Sequence, residues 1–166
     1  AYASVFKGLN LAFGTEFRYE NYQILAGETA SYINGGAQSF PGFSYLNVVN
    51  KSRTSFGFYA DAELNFTDKF LVDAAVRFEN FSDFGNTTNG KLSARYKITD
   101  KFFVRGSAST GFRAPSLQQQ YFNNIDTDVV DGKLLNSGIF RNDSEAAKQL
   151  GIPELKEETS TNYSFG

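Results

Sequence analysis

Five spans of this 166-residue chain alternate with a period of two, and every charge in them falls on one side of the alternation. From Leu9 to Glu20, the residues Leu9, Leu11, Phe13, Phe17 and Tyr19 oppose Asn10, Gly14, Glu16, Arg18 and Glu20. From Phe56 to Phe66, Phe58, Ala60, Ala62 and Leu64 oppose Tyr59, Asp61, Glu63 and Asn65. From Phe70 to Glu79, Val72, Ala74, Val76 and Phe78 oppose Asp73, Arg77 and Glu79. Lys91 to Ile98 sets Leu92, Ala94 and Tyr96 against Lys91, Ser93, Arg95 and Lys97, and Phe102 to Arg113 sets Val104, Ala108 and Phe112 against Arg105, Ser107 and Arg113. The spans hold 13 charged residues, all on the polar side. Random placement gives that result about once in 256 tries even with free choice of register, so each span is a strand with two chemically distinct faces. A sixth strand begins near Thr159, where Thr161, Tyr163 and Phe165 alternate with Ser160, Asn162 and Ser164. The expected fold is all-β: an antiparallel up-and-down meander of about six strands, near 8–20, 55–66, 70–81, 90–98, 102–113 and 159–166.

The apolar faces could point into the core of a soluble sandwich or barrel. Two features favour lipid instead. Aromatics sit at the strand ends, Phe66, Phe70 and Phe102 at one and Phe56, Phe58, Phe78 and Phe112 at the other, while Ala60, Ala62, Val72, Ala74, Val76 and Ala108 fill the middle. That is the order of two aromatic girdles around an aliphatic band, whereas a soluble core wants bulk at its centre. The spans also run to roughly 10–12 residues, suited to a tilted bilayer crossing, where soluble strands average about 5–6. The absence of an apolar run of 18 residues removes a membrane helix but says nothing of a barrel, whose strands never give such a run.

Composition narrows the chemistry. The chain has no Cys and no His, which removes disulfides, a thiol nucleophile, the usual zinc sites and the commonest general base. No cofactor and no metal are expected, and no catalytic residues are assigned. A net charge of −2 and a pI near 5.2 give no reason to expect nucleic acid. Eighteen Phe and nine Tyr argue against disorder. A chain with no Met is expected to be processed or a piece of a longer one.

The connections are asymmetric. Phe66-Thr67-Asp68-Lys69-Phe70 recurs as Ile98-Thr99-Asp100-Lys101-Phe102, which marks tight turns at 67–69 and 99–101 with Asp able to bond its own backbone. Longer loops are expected at 21–54, 82–89 and 114–158. Short turns at one end and long loops at the other are the arrangement of outer-membrane barrels, with the short turns periplasmic. Within the last loop, Ser144 to Leu150 reads as a short helix, capped by Ser144 and stopped by Gly151.

Three groups of residues are candidates for binding. Loop aromatics Tyr22, Tyr32, Phe40, Phe43, Tyr45, Tyr121, Phe122 and Phe140 could stack on sugar rings or planar chelates, or pack the loops against one another. The polar-face charges Glu16, Arg18, Glu20, Asp61, Glu63, Asp73, Arg77, Glu79, Arg95 and Arg105 could form cross-strand ion pairs or meet a plug inside a barrel. Asp126, Asp128 and Asp131-Gly132 faintly suggest a calcium loop but lack its closing Glu, and a solvated acidic loop is the plainer reading. Asp61 and Glu63 share one strand face without an opposing cleft, so they do not make a glycosidase pair, and Ser109-Thr110-Gly111-Phe112 is not a nucleophile elbow.

Four segments are more specific. Ser109 to Gln119, containing Gly111-Phe112-Arg113-Ala114-Pro115-Ser116, resembles the GFRAPS segment of TonB-dependent outer-membrane receptors. Leu155 to Gly166 is similar to that family's approach to the following strand, with Glu157 where the family often has Pro. Phe13 to Tyr22 and Arg77 to Gly85 resemble two earlier strand segments, in the right order.

The resemblance implies a fragment of the C-terminal barrel domain, part of a large wall of about 22 strands, in the outer membrane of a Gram-negative bacterium. It implies a receptor that binds and imports a scarce nutrient: a ferric siderophore, haem, cobalamin or a glycan. Outer-membrane lipid, the protein's own plug domain and the TonB complex would be its partners, and a surface lipoprotein is a further one that the resemblance allows. The plug is expected to lie outside this chain. Arg113 and the loop from Ala114 are then the first place to look for ligand or plug contact. A passive porin-like channel and a soluble β-rich binding or adhesin module are the alternatives. Six strands fall short of the roughly eight of the smallest lipid-facing barrels, so the stretch is expected to be about a quarter of a wall.

Overall fold

Each alternating span needs a neighbour for its backbone groups, and in the computed structural model it takes the next strand in the chain. The structure describes residues 7–33, 36 and 41–166. The first five strands are β1 (Gly8–Ile24), β2 (Val49–Asn65), β3 (Phe70–Phe81), β4 (Gly85–Thr99) and β5 (Phe102–Arg113). A short helix α1 (Leu117–Tyr121) follows, then a hairpin of β6 (Asn124–Val130) and β7 (Lys133–Ile139), then helix α2 (Glu145–Gln149). Strand β8 (Glu158–Phe165) returns to pair with β5, so one sheet has the order β1-β2-β3-β4-β5-β8, and β6-β7 form a second, two-stranded sheet. The chain divides into two compact units: Ala1–Arg18, Thr54–Ala114 and Glu157–Gly166, which is the sheet unit, and Tyr19–Arg53 with Pro115–Lys156, the loop unit.

Register keeps the two faces of the sheet unit apart. Ala62, Ala74, Leu92 and Ala108 share one row across four strands, and Leu64, Val72 and Ala94 share the next. Phe58 faces Phe78 across β2 and β3, toward one end of these rows. Toward the other end Phe66, Phe70 and Tyr96 form a chain of rings, with centroids 5.8 and 6.4 Å apart. Small residues therefore lie between aromatics along the apolar face. Tyr163, opposite Ala108, is the exception. The 12 residues of β3 span about 40 Å, or about 28 Å along the normal at a 45° tilt, close to the hydrocarbon thickness of a bilayer. Among the described residues no helix is long and apolar enough to cross a membrane.

The two Thr-Asp-Lys turns close through threonine rather than aspartate. Thr67 Oγ1 accepts from the backbone N–H of Lys69 and Phe70, and Thr99 Oγ1 accepts from that of Lys101. The aspartates take lysines instead: Asp68 pairs with Lys7, and Asp100 with Lys97 at 2.8 Å. The hydrogen bond from Lys97, together with its charge, holds the Asp100 carboxyl below the usual carboxylate range.

Two expected loops differ in extent. The loop expected over 21–54 is shortened, because β1 continues to Ile24 and β2 starts at Val49. Lys51 and Arg53 keep the polar parity of Asp61 and Glu63, so the alternation reaches further back than the densest part of the pattern. The loop expected over 82–89 contracts to Ser82–Phe84, since Gly85–Asn89 pair with Arg77–Phe81. Asn86, Thr87, Thr88 and Asn89 are polar on both faces, which hides a strand from any hydrophobic period. Gly85, at φ 100°, supplies the left-handed backbone that this turn needs.

Inside 114–158 the hairpin β6–β7 carries no clear alternation. Its turn is Asp131-Gly132, with φ of 50° and 75°, between the paired Val130 and Lys133. Two positive φ values in a two-residue loop are the hairpin geometry that Asp-Gly favours. The short helix expected from Ser144 is α2. It ends in a paired αL cap, where Ile152 N–H donates to Ala147 O and Gly151 N–H to Lys148 O.

Candidate functional site

The polar face of the sheet unit carries an ion-pair network. Arg77 on β3 donates to Glu16 on β1 at 2.8 Å and to Glu79 at 2.9 Å, and Arg18 reaches Glu16 at 2.6 Å. Lys91 on β4 holds Asp73 on β3 at 2.9 Å, and Ser93 donates to the same carboxylate at 3.1 Å. Asn10 donates to Glu63 at 3.0 Å. Gly14 leaves room for the Tyr59 ring: a Cβ there would come within 2.8 Å of its carbons. Lys91 to Asp73 ties β4 to β3 and Arg77 to Glu16 reaches past β2 to β1, while Arg18–Glu16 and Arg77–Glu79 lie within single strands. The cross-strand pairs fix register along a face that has no hydrophobic core behind it. Of the ten polar-face charges singled out from sequence, Glu16, Arg18, Asp73, Arg77 and Glu79 are thus paired in the sheet unit. Asp61, Glu63, Arg95 and Arg105 have no ion pair among the described residues of that unit.

The tenth, Glu20, belongs to the loop unit, where it meets the most informative buried group in the chain. Arg53 is 5% exposed. Its Nε and Nη2 both donate to Glu20 Oε2, at 2.9 and 2.6 Å, and its Nη1 donates to the Pro115 carbonyl at 2.8 Å. One guanidinium thus joins the start of each long connection. Two buried asparagines repeat the device: Asn47 accepts from the Ile125 N–H, and Asn123 donates to the Leu46 carbonyl. Buried Val49, Leu117, Ile24 and Ala147 supply the apolar part. Ser116 opens α1 with a reciprocal cap, its Oγ accepting from Gln119 N–H while Gln119 Oε1 accepts from Ser116 N–H.

The loop aromatics fall into two groups. Phe43 and Phe122 pack edge to face with centroids 6.3 Å apart, and Lys51 Nζ lies 5.2 Å above the Tyr121 ring. Tyr22 and Tyr32 are half-buried. Tyr45, 72% exposed, and Phe140, also exposed, present their rings outward. Phe40 lies outside the described residues. Arg113 is exposed in the sheet unit, 3.9 Å from Glu158 on the neighbouring β8. Of the residues that faintly suggested a calcium loop, Asp131 and Gly132 form the turn of the β6–β7 hairpin. No cluster of acids able to hold a metal occurs among the described residues. Arg53 is the residue that sequence reasoning missed, although its parity with Asp61 and Glu63 was a usable signal.

The apolar face of the sheet unit is bare. Phe13 is 77% exposed, Phe17 71%, Leu11 66% and Leu92 57%. A face this apolar and this open belongs against lipid or another apolar surface.

Comparison with known proteins agrees with that placement. The family model described as "TonB dependent receptor-like, beta-barrel" matches residues 2–166. The ferrienterobactin receptor of Escherichia coli (strain K12) is 25% identical over 159 residues, covering 94% of this chain and 20% of the receptor. The vitamin B12 transporter BtuB of Vibrio cholerae serotype O1 is 32% identical over 66 residues, covering 38% of this chain and 11% of the transporter. The probable TonB-dependent siderophore receptor PirA of Acinetobacter baumannii is 27% identical over 111 residues, covering 65% and 14% respectively. The chain therefore spans a fifth or less of the length of these relatives, which are receptors and transporters rather than enzymes. No solved structure gives a significant match.

Proposed function

We propose that this chain, which belongs to the TonB dependent receptor-like β-barrel family and so to the outer membrane of Gram-negative bacteria, is a stretch of wall and outer loops in a transporter that binds and imports a scarce nutrient. The observation that carries this reading is the segregation of the two faces: all 13 strand charges on one, and exposed Phe13, Phe17 and Leu92 on the other. The apolar face meets lipid, and the charged face meets the barrel interior and the plug domain within it. The turns at 67–69 and 99–101 are the periplasmic connections, and those after Ile24, Phe81 and Arg113 are the extracellular ones.

A ferric siderophore or cobalamin is favoured over haem or a glycan by the names of the relatives. Tyr45 and Phe140, whose rings are exposed, are the first proposed ligand contacts, with Tyr32, Phe40 and Arg113 as further ones. Phe43, Tyr121 and Phe122 hold the loop unit together. Uptake of labelled ferric siderophores and of cobalamin by cells carrying the full-length protein, with and without TonB, tests this. TonB-dependent accumulation of one of them is the expected result. Accumulation that persists without TonB indicates a passive channel instead.

A further inference from the structure

The repeated Thr-Asp-Lys turns of the sheet unit carry an excess of cation. The first turn gathers Lys7, Asp68 and Lys69, and the second gathers Lys97, Asp100 and Lys101. In each, one lysine takes the aspartate: Lys7 pairs with Asp68, and Lys97 with Asp100 at 2.8 Å. The other, Lys69 or Lys101, follows the aspartate in the chain, is exposed, and has no ion pair among the described residues. Each turn thus keeps one positive charge over, in a chain whose net charge is −2. The two charges are also held in place. Thr67 Oγ1 and Thr99 Oγ1 accept from the backbone N–H of Lys69 and Lys101. The Lys69 carbonyl accepts from the Lys97 N–H at 2.8 Å, which ties the first turn to β4. The turns lie two strands apart, or about 10 Å.

Beside these lysines the apolar face ends in rings. Phe70 stands opposite Tyr96, and Thr67, Asp68, Lys69, Phe70 and Tyr96 line an open recess of about 670 Å³. Tyr96 is exposed, and so is Phe102, next to Lys101. An ammonium group, a phenol hydroxyl and an apolar wall in one recess are the complement of a phosphodiester that carries acyl chains. The ammonium and the hydroxyl can both donate to phosphate oxygens, and the next row of the same face, Val72 and Ala94, continues the apolar wall. We propose that the recess at Lys69, with Lys101 beside it, seats the headgroup of an anionic phospholipid. This rests on the reading of the apolar face as the one that meets lipid, and it adds a place and a preference for negative headgroups. Charge complementarity selects the occupant. A zwitterionic headgroup brings its own cation beside the phosphate, and a water-soluble acid would use the lysines but leave the rings bare. Basic residues at a membrane surface favour anionic lipid in this way.

Native mass spectrometry of the full-length protein in mild detergent tests the site. Phosphatidylglycerol and phosphatidylcholine with the same acyl chains are titrated in turn, and the affinity of the first bound lipid is read. Phosphatidylglycerol is expected to bind more tightly. Lys69→Gln and Lys101→Gln are each expected to weaken it about fivefold, and the double variant about 30-fold. Lys69→Arg, which keeps the charge, is expected to retain the lipid, and Lys133→Gln in the loop unit to change nothing. Equal binding of the two lipids, or an equal loss in Lys133→Gln, overturns the proposal. Full displacement of the lipid by an equal concentration of glycerol phosphate overturns it too, since the site would then serve a free phosphate. A protein that runs as a folded, heat-modifiable barrel yet shows no headgroup preference loses the site and keeps the wall. A full-length protein with no heat-modifiable barrel at all loses both.

Discussion

The sheet unit and the loop unit solve opposite problems with similar residues. The loop unit buries Val49, Leu117 and Ala147 and satisfies buried Arg53, Asn47 and Asn123 from within, as a water-soluble domain does. The sheet unit leaves Leu11, Phe13, Phe17 and Leu92 in the open and spends its polar interactions on the opposite face. The difference is one of solvent. In water a bare apolar face is a liability, whereas against hydrocarbon it costs nothing and the charges must point the other way.

The sharpest way to break the comparison is to put one substitution on both faces of one strand. Ala74→Arg in the full-length barrel is expected to lower folding stability in liposomes by roughly 2–4 kcal/mol, because the small-residue row lies near the bilayer centre. Ala75→Arg, one residue along and directly opposite Asp61, is expected to cost less than about 1 kcal/mol. Urea titrations of both variants check the pair, and equal losses would mean that the strand has no lipid face. In the loop unit the vulnerable residue is polar. Arg53→Ala leaves Glu20 and the Pro115 carbonyl without their donor, at a cost of about 1–3 kcal/mol. Hydrogen exchange should quicken around residues 45–53 and 115–125 and stay unchanged in β3 and β4.

Smaller effects refine the contrast. Ser116→Ala removes the reciprocal cap of α1 and is expected to cost about 1 kcal/mol, read as faster exchange at Gln119 and Gln120. The smallest effect is a titration. Asp100, held below the usual carboxylate range by Lys97, stabilises the turn above the unfolded carboxylate pKa of about 3.9. That contribution fades as pH falls through the lower folded value. Asp100→Asn should erase this acid-side dependence in a urea titration repeated across pH, and an unchanged profile would show that the exposed pair adds nothing.

The legibility of the sequence follows the same division. Where one face meets a single solvent, no charge breaks parity; β5 ends where the alternation ends, at Arg113, and β3 runs two residues past it, to Phe81. Where both faces are polar, as at Asn86–Asn89, the signal vanishes although the backbone still pairs. The loop unit is held by contacts between distant segments, such as Arg53 to Pro115 and Asn123 to Leu46. No local period announces such contacts, and so a buried arginine read as part of a loop. The aromatics taken together from sequence separate on this basis too: Phe43 and Phe122 satisfy each other, while Tyr45 does not bury its ring.

The segregation of faces can be read directly along β3. Single spin labels placed from Leu71 to Phe78 in the full-length protein, reconstituted in liposomes, report collisions with lipid-soluble oxygen and with a water-soluble nickel chelate. Oxygen access is expected to peak at 72, 74, 76 and 78, and nickel access, where any is found, only at 71, 73, 75 and 77. Oxygen peaks at the odd positions, or no alternation at all, would contradict the assignment of the apolar face to lipid.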